Sequence, residues 1–162
     1  MSKKQIILFV LLIAIASGVW LLRERGPSDR PHFPHEKLTI TRADGTHFLF
    51  DVEVARSMSD QAYGLMFLPS MPADAGMIFP YDPPREVAFW MKNTIIPLDM
   101  LFVGADHTIG HIVTNAAPGD VTPIDSQIPV AAVIEINGGT VQADGLAVGD
   151  KIESLALPAP AP

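Results

Sequence analysis

The stretch FWMKNTIIPLDMLFV, residues 89–103, decides how this chain is read, because Lys92, Asn93, Thr94 and Asp99 interrupt a run that is otherwise apolar. A segment apolar on both faces is buried on both, and an unpaired ammonium there would cost several kcal/mol. Lys92 must therefore pair with a carboxylate or reach water. Two carboxylates intrude in similar runs, Asp99 in LDMLFV and Glu135 in VIEI. In one reading the three charges form a satisfied network that sets strand register, with Asn93 and Thr94 bonding backbone groups in the turn before Pro97. In the other they surround a pocket mouth, where a lysine between carboxylates orients an anionic or polar ligand. A catalytic version would use Asp99 or Glu135 as general acid or base, with Lys92 stabilising developing negative charge. Phe89 and Trp90 adjoin Lys92, and on a strand one of the two faces away from the other and is free to line the pocket.

Working outward, GMIFP, EVAFWM, LDMLFV, HTIGHIVTN and VAAVIEIN are five short apolar segments separated by turn-forming residues. Upstream, KLTITR (37–42) and THFLFDVEVA (46–55) are rich in β-branched and aromatic residues. The Ala43-Asp44-Gly45 link between them suits a three-residue hairpin loop. Ser57 or Ser59 caps a short helix over residues 60–67, with Asp60 three residues after Ser57 as in a capping box. Residues 138–144 suit one or two helical turns, and AVGDKIES reads as a closing strand. The pattern predicts an α+β, strand-dominated domain, a compact barrel-like or sandwich fold of seven to eight short strands with one or two short helices.

The ends differ from this body. MSKK precedes QIILFVLLIAIASGVWLL, residues 5–22, and RER follows. Eighteen residues make a helix of about 27 Å, close to the roughly 30 Å of a bilayer's hydrocarbon. Residues 1–25 therefore read as a membrane anchor, with a cleaved signal peptide as the competing reading because Ala14-Ile15-Ala16 offers a small-residue site. The apolar run continues past that site to Trp20, at interfacial depth, and Lys3 and Lys4 favour a cytoplasmic N-terminus, which puts the body outside the cytoplasm. Residues 26–36 are a Pro-rich tether, 37–155 the globular domain and 156–162 a Pro/Ala tail.

Composition excludes several chemistries. There is no cysteine, hence no disulfide, thiolate metal site or cysteine nucleophile. Beyond residue 25 the chain carries 7 basic and 17 acidic residues, a net charge of −10, so the electrostatic footprint of nucleic-acid binding is missing. His107 and His111 would lie about 13 Å apart along a strand, out of reach of a shared ion. No metal and no cofactor is expected, and neither a serine-nucleophile elbow nor a phosphate-cradling glycine loop occurs.

GLMF (64–67), GMIF (76–79), the 89–103 block, Asn115-Ala116 with Pro118, VIEI (133–136) and GDKI (149–152) together resemble the DUF192 family, a domain of unknown function. The resemblance covers about residues 37–153 and implies a small, mostly β domain, often behind a signal or anchor segment. It implies no accepted reaction, substrate or cofactor. With Asn115 from those motifs, the candidate ligand-binding residues are Lys92, Asn93, Thr94, Asp99, Asn115 and Glu135. The expected function is a non-enzymatic binding or interaction module of the cell envelope, taking a small polar ligand or an envelope protein. The alternative is a small extracytoplasmic hydrolytic enzyme using Asp99 and Glu135 with Lys92.

Overall fold

In the computed structural model, which describes residues 30–158, the central strand is β8, Val130–Asn137. It pairs antiparallel with β5, Leu98–Val103, on one side and with β3, Ala75–Arg85, on the other. Both β5 and β8 are apolar almost throughout because both of their faces are covered. Outward from β3 lie β2, His47–Val54, parallel to it, then β1, His35–Thr41, and β9, Lys151–Glu153. On the far side of β5 lies β6, Ile109–Ala116.

The order β6-β5-β8-β3-β2-β1-β9 makes one seven-stranded mixed sheet, and β4, Ala88–Phe89, pairs with β7, Ile124–Asp125, as a separate ribbon. The sheet curls until its two edges touch at one corner. There Thr108 bridges Lys151, Ile109 N–H donates to Asp150 O at 2.9 Å, and Ile152 N–H donates to His107 O at 2.8 Å. Gly149 N–H also donates to Ile109 O at this corner, but among the described residues β6 and β9 are not paired as strands, so the sheet does not close into a barrel. Among the described residues there are nine strands and two short helices. The strand-dominated α+β expectation holds; the barrel-like or sandwich architecture and the count of seven to eight do not. The anchor segment lies outside the described residues.

Two apolar clusters occupy the two faces of the sheet. One contains Leu38, Ile40, Val52, Ile78, Leu101, Val103, Ile134 and Ile136, and the other Met77, Phe79, Met91, Leu98, Met100, Phe102 and Val133. Alternation along β5 and β8 produces this division, since successive side chains point to opposite faces. Each fully buried aliphatic or aromatic side chain contributes about 1.5–3 kcal/mol.

The β1–β2 hairpin has the expected loop: Gly45 takes φ +84, Arg42 N–H donates to Thr46 O, and Asp44 accepts from Thr46 N–H. The helix α1, Met58–Tyr63, carries the Ser57/Asp60 capping box in both directions. It ends at Gly64, earlier than residue 67, because Gly64 adopts φ +52 and turns the chain back under the helix. The second helix, α2, Thr140–Asp144, falls in the predicted segment.

EVAFWM departs most from expectation. Only Ala88–Phe89 is strand; at Met91 the backbone leaves the ladder, donates to Asp120 O, and turns through Asn93 at φ +59. His107, predicted on a strand, sits instead in the turn before β6 at φ +62, and its Nε2 bonds the Pro158 carbonyl at 2.9 Å.

The packing of β3 on β8 is closest at Gly76, where a Cβ would lie 2.6 Å from the Glu135 carbonyl oxygen and 3.1 Å from Ile136 Cγ2. Gly76→Ala is expected to push the two strands apart and cost about 1–3 kcal/mol, despite the lower unfolded-state entropy of alanine. Urea unfolding measures this, and a stability equal to or above that of the natural chain would contradict the close approach.

Candidate functional site

The register of β5 on β8 separates the two carboxylates that the sequence makes conspicuous. Asp99 pairs with Ile136, and Met100 pairs with Glu135. Asp99 therefore faces the cluster of Leu101 and Ile136, whereas Glu135 faces the opposite cluster with Met77 and Met100. Neither is within ion-pair distance of Lys92.

Asp99 is fully buried and fully used. Its Oδ1 accepts from Asn115 N–H and its Oδ2 from Val141 N–H, both at 2.8 Å. The second bond serves the first turn of α2, whose N-cap residue, Gly139, has no side chain to do so. Asp99 is thus a cap supplied from a neighbouring strand, and it ties β6 and α2 to β5. Asn115 takes part through its backbone at φ +51 while its side chain is exposed.

Glu135 has the opposite surroundings. It is 4% exposed, and no hydrogen bond or ion pair reaches its carboxyl group among the described residues. Removal from water pushes its pKa up to about 8, so the group is mostly a neutral acid at pH 7. It lines a small recess of about 30 Å³ beneath α1 and the turn that follows it. Gln61, Leu65, Phe79 and Thr94 form the walls, and Phe89, Trp90 and Lys92 the approach. A water needs roughly 10–15 Å³, so this space takes one or two waters or a single polar group of a larger ligand.

Three candidate residues, Lys92, Thr94 and Glu135, meet at this recess. Lys92 is exposed, with its Nζ 5.2 Å from the centre of the Trp90 ring, which is itself half-exposed. Of the two routes open to a lysine in this run, it takes the one to water. Asn93 is alongside but bonds elsewhere: its side-chain amide lies 3.6 Å from Met66 Sδ, and its carbonyl accepts from Phe67 N–H. Phe89 and Trp90 both line the recess, against the alternation expected of a strand, because the strand ends at Phe89. Phe89 stands edge-on to Phe79 at 5.0 Å. The contribution of α1 was not legible locally, since Gln61 carries no charge or spacing that would mark it; Leu65, just beyond the helix, was marked only as part of GLMF.

Together with α1, the recess is assembled from GLMF, GMIF, the 89–103 block and VIEI, four of the segments that carry the family resemblance. The sequence model of DUF192, described as an uncharacterised ACR, matches residues 39–154. This chain belongs to the DUF192 family. Two solved structures are similar to this DUF192 chain. One is a protein of unknown function from Novosphingobium aromaticivorans, 43% identical, with a TM-score of 0.72 over 74% of this chain and 85% of that one. The other is a Sinorhizobium meliloti protein provisionally assigned a role as a transcription regulator, 41% identical, with a TM-score of 0.76 over 79% and 99%. No curated protein matches the chain.

A double-mutant cycle tests the separation of Lys92 from Asp99. Asp99→Leu leaves two buried N–H groups without acceptors and is expected to cost about 3 kcal/mol or more. Lys92→Met should change stability by less than about 1 kcal/mol, the scale of an exposed cation–π contact. Their coupling is expected to stay within about 0.5 kcal/mol. A coupling of several kcal/mol would mean that the two charges form a pair.

Proposed function

We propose that this DUF192 protein is a non-enzymatic binding module of the cell envelope, and that it engages its ligand at the Glu135 recess. The observation that carries this reading is a carboxyl group buried in the sheet face with no partner among the described residues, opening on a space that takes one polar group. Leaving a buried polar group unsatisfied costs on the order of 1–3 kcal/mol, and a Leu or Met would fill the same position more stably. A neutral carboxyl group both donates and accepts hydrogen bonds, so it suits an amide or hydroxyl of a small polar ligand or of a protein side chain. Lys92 and the half-exposed Trp90 ring flank the approach and supply a charge and an apolar surface.

A hydrolytic role for Asp99 and Glu135 with Lys92 is less well supported. A two-carboxylate mechanism needs both groups on one substrate, and these lie on opposite faces of the sheet. The raised pKa of Glu135 supports only a narrower version, in which it acts alone as a general acid. Transcription regulation, the role assigned provisionally to the Sinorhizobium relative, gains no support as direct nucleic-acid binding from a body with 7 basic and 17 acidic residues.

The placement belongs to the same proposal. Residues 1–25 hold the protein in the membrane, and the domain lies outside the cytoplasm. The supporting observation is residues 5–22 of the sequence. Among the described residues no helix is long and apolar enough to cross a membrane. An alkaline phosphatase fusion after Leu157 is expected to be active, and inactivity in a strain that exports other fusions would reject the placement.

The ionisation of Glu135 gives the binding reading a thermodynamic test. Its folded pKa, about 8, lies above its ordinary value of 4.5, so between those pH values the folded state holds a proton that the unfolded state has lost. Stability must then fall as pH rises through this window, by at most about 1.4 kcal/mol per pH unit, and level off above it. Glu135→Leu should abolish that component and be the more stable protein at pH 8 in urea unfolding. A Glu135→Leu variant less stable than the natural chain at both pH 5 and pH 8 would make the carboxyl group a structural part and sink the reading.

A further inference from the structure

A second, larger cleft lies beside the first, and Gln61 lines both. Gln61 is a fixed ridge: its Nε2 donates to the carbonyls of Ala55 and Pro80 at 3.3 and 3.2 Å. The space beyond it has a volume of about 360 Å³, within the range of small-molecule sites. Arg56 approaches from the start of α1, and Tyr81, Asp82 and Arg85 from β3; the wall opposite is the segment after β9. That wall is anchored, since Ala156 N–H donates to Glu36 at 2.9 Å and Ala156 and Leu157 are buried.

The charge distribution here runs against that of the body. Two of the seven basic residues beyond residue 25 converge on this one cleft. Lys37 and Arg42 each lie within 3.3 Å of a carboxylate, whereas neither Arg56 nor Arg85 has an acidic partner or a hydrogen bond among the described residues. Arg85 is held in place by the Tyr81 ring, 4.8 Å from its guanidinium carbon. Tyr81 is itself buried, its hydroxyl has no hydrogen-bond partner among the described residues, and burial pushes its pKa up to about 12, so it remains a donor. Asp82 is the one carboxylate in the lining, and it leaves the cleft with a net charge of +1. Met58 and Leu155, both almost fully exposed, supply apolar surface at its edge.

We infer that this cleft is a binding site for a small molecule with a single oxyanion head, a carboxylate or a phosphate monoester, on an apolar body. The head is taken by Arg56 and Arg85, whose planar guanidinium groups match either oxyanion bidentately, with the Tyr81 hydroxyl as a third donor. Asp82 disfavours polyanions by repulsion, and Met58 and Leu155 contact the apolar part. This site does not use the Glu135 recess, although an ionised Glu135 acts on the Tyr81 hydroxyl across the Gln61 ridge.

The test uses the full chain in neutral detergent micelles, with phenylacetate and phenyl phosphate as probes and benzyl alcohol as the uncharged control. The side-chain Nε–H signals of Arg56 and Arg85 are followed by NMR and assigned with Arg56→Lys and Arg85→Lys. Saturable shifts are expected with at least one anionic probe and not with benzyl alcohol. Affinity should fall about tenfold or more in Arg56→Gln and in Arg85→Gln, and also decline as salt is raised. Both arginines are exposed, so these variants should keep the stability of the natural chain. Whichever probe binds more tightly identifies the head as carboxylate or phosphate. At pH 6, where the Glu135 carboxyl group holds its proton and puts no charge near Tyr81, Glu135→Gln should leave the affinity for the anionic probes within about twofold, so failure at one cleft is distinguishable from failure at the other. Shifts that rise without saturating, or saturation unaffected by both glutamine variants, would overturn the inference.

Discussion

The hydrogen-bonded ladder between β5 and β8 is the constraint on which the other features depend. Backbone pairing sets Asp99 against Ile136 and Met100 against Glu135, and the two-residue period of a strand then assigns every neighbouring side chain to a face. A slip of one residue in β5 would bring Asp99 to the face of Glu135 and turn Leu98, Met100 and Phe102 away from Met77 and Phe79. The apolar clusters on both faces resist such a slip, because each is filled by side chains of that one register.

Two buried carboxyl groups in the same sheet show how differently one residue type is accommodated. Asp99 receives two backbone N–H groups that its own structure would otherwise leave orphaned, and in return it joins β6 and α2 to the central strands. Those two bonds replace ones its carboxyl oxygens lose to water on burial. Glu135 receives nothing comparable among the described residues, and its burial favours the proton. The first belongs to the framework. The second is a polar group held at the edge of a space, which a ligand can complete.

The face that carries Glu135 is covered by short, irregular pieces: α1, the turn after Gly64 and the turn from Met91 to Thr94. Short connections leave gaps between them: the Glu135 recess lies there, and the larger cleft lies beyond Gln61, where the segment after β9, packed into the opposite cluster through Ala156 and Leu157, forms its far wall. The opposite face packs against Val141 and Leu146, from and just after α2, and Ala156 and Leu157 after β9, and its cluster is more uniformly aliphatic. Functional chemistry is therefore concentrated where loops, not strands, complete the packing.

By itself the sequence determined what local chemistry can encode. The hairpin followed from Ala43-Asp44-Gly45 between two β-rich runs, α1 from Ser57 and Asp60, and most of the strands from short apolar segments bounded by turn residues. The family was legible in its motifs, and Glu135 and Lys92 stood out as charges in apolar surroundings. Tertiary structure alone decided which of these charges meet. Whether Asp99 and Glu135 share a face depends on pairing register between segments some thirty residues apart, and a one-residue difference reverses the answer. Sequence distance does not report where a strand stops either, so Phe89 and Trp90 line one recess although alternation would divide them. The convergence of Arg56 with Arg85 likewise arises because the parallel pairing of β2 with β3 brings α1 over β3, an arrangement written in long-range contacts and not in the residues beside either arginine.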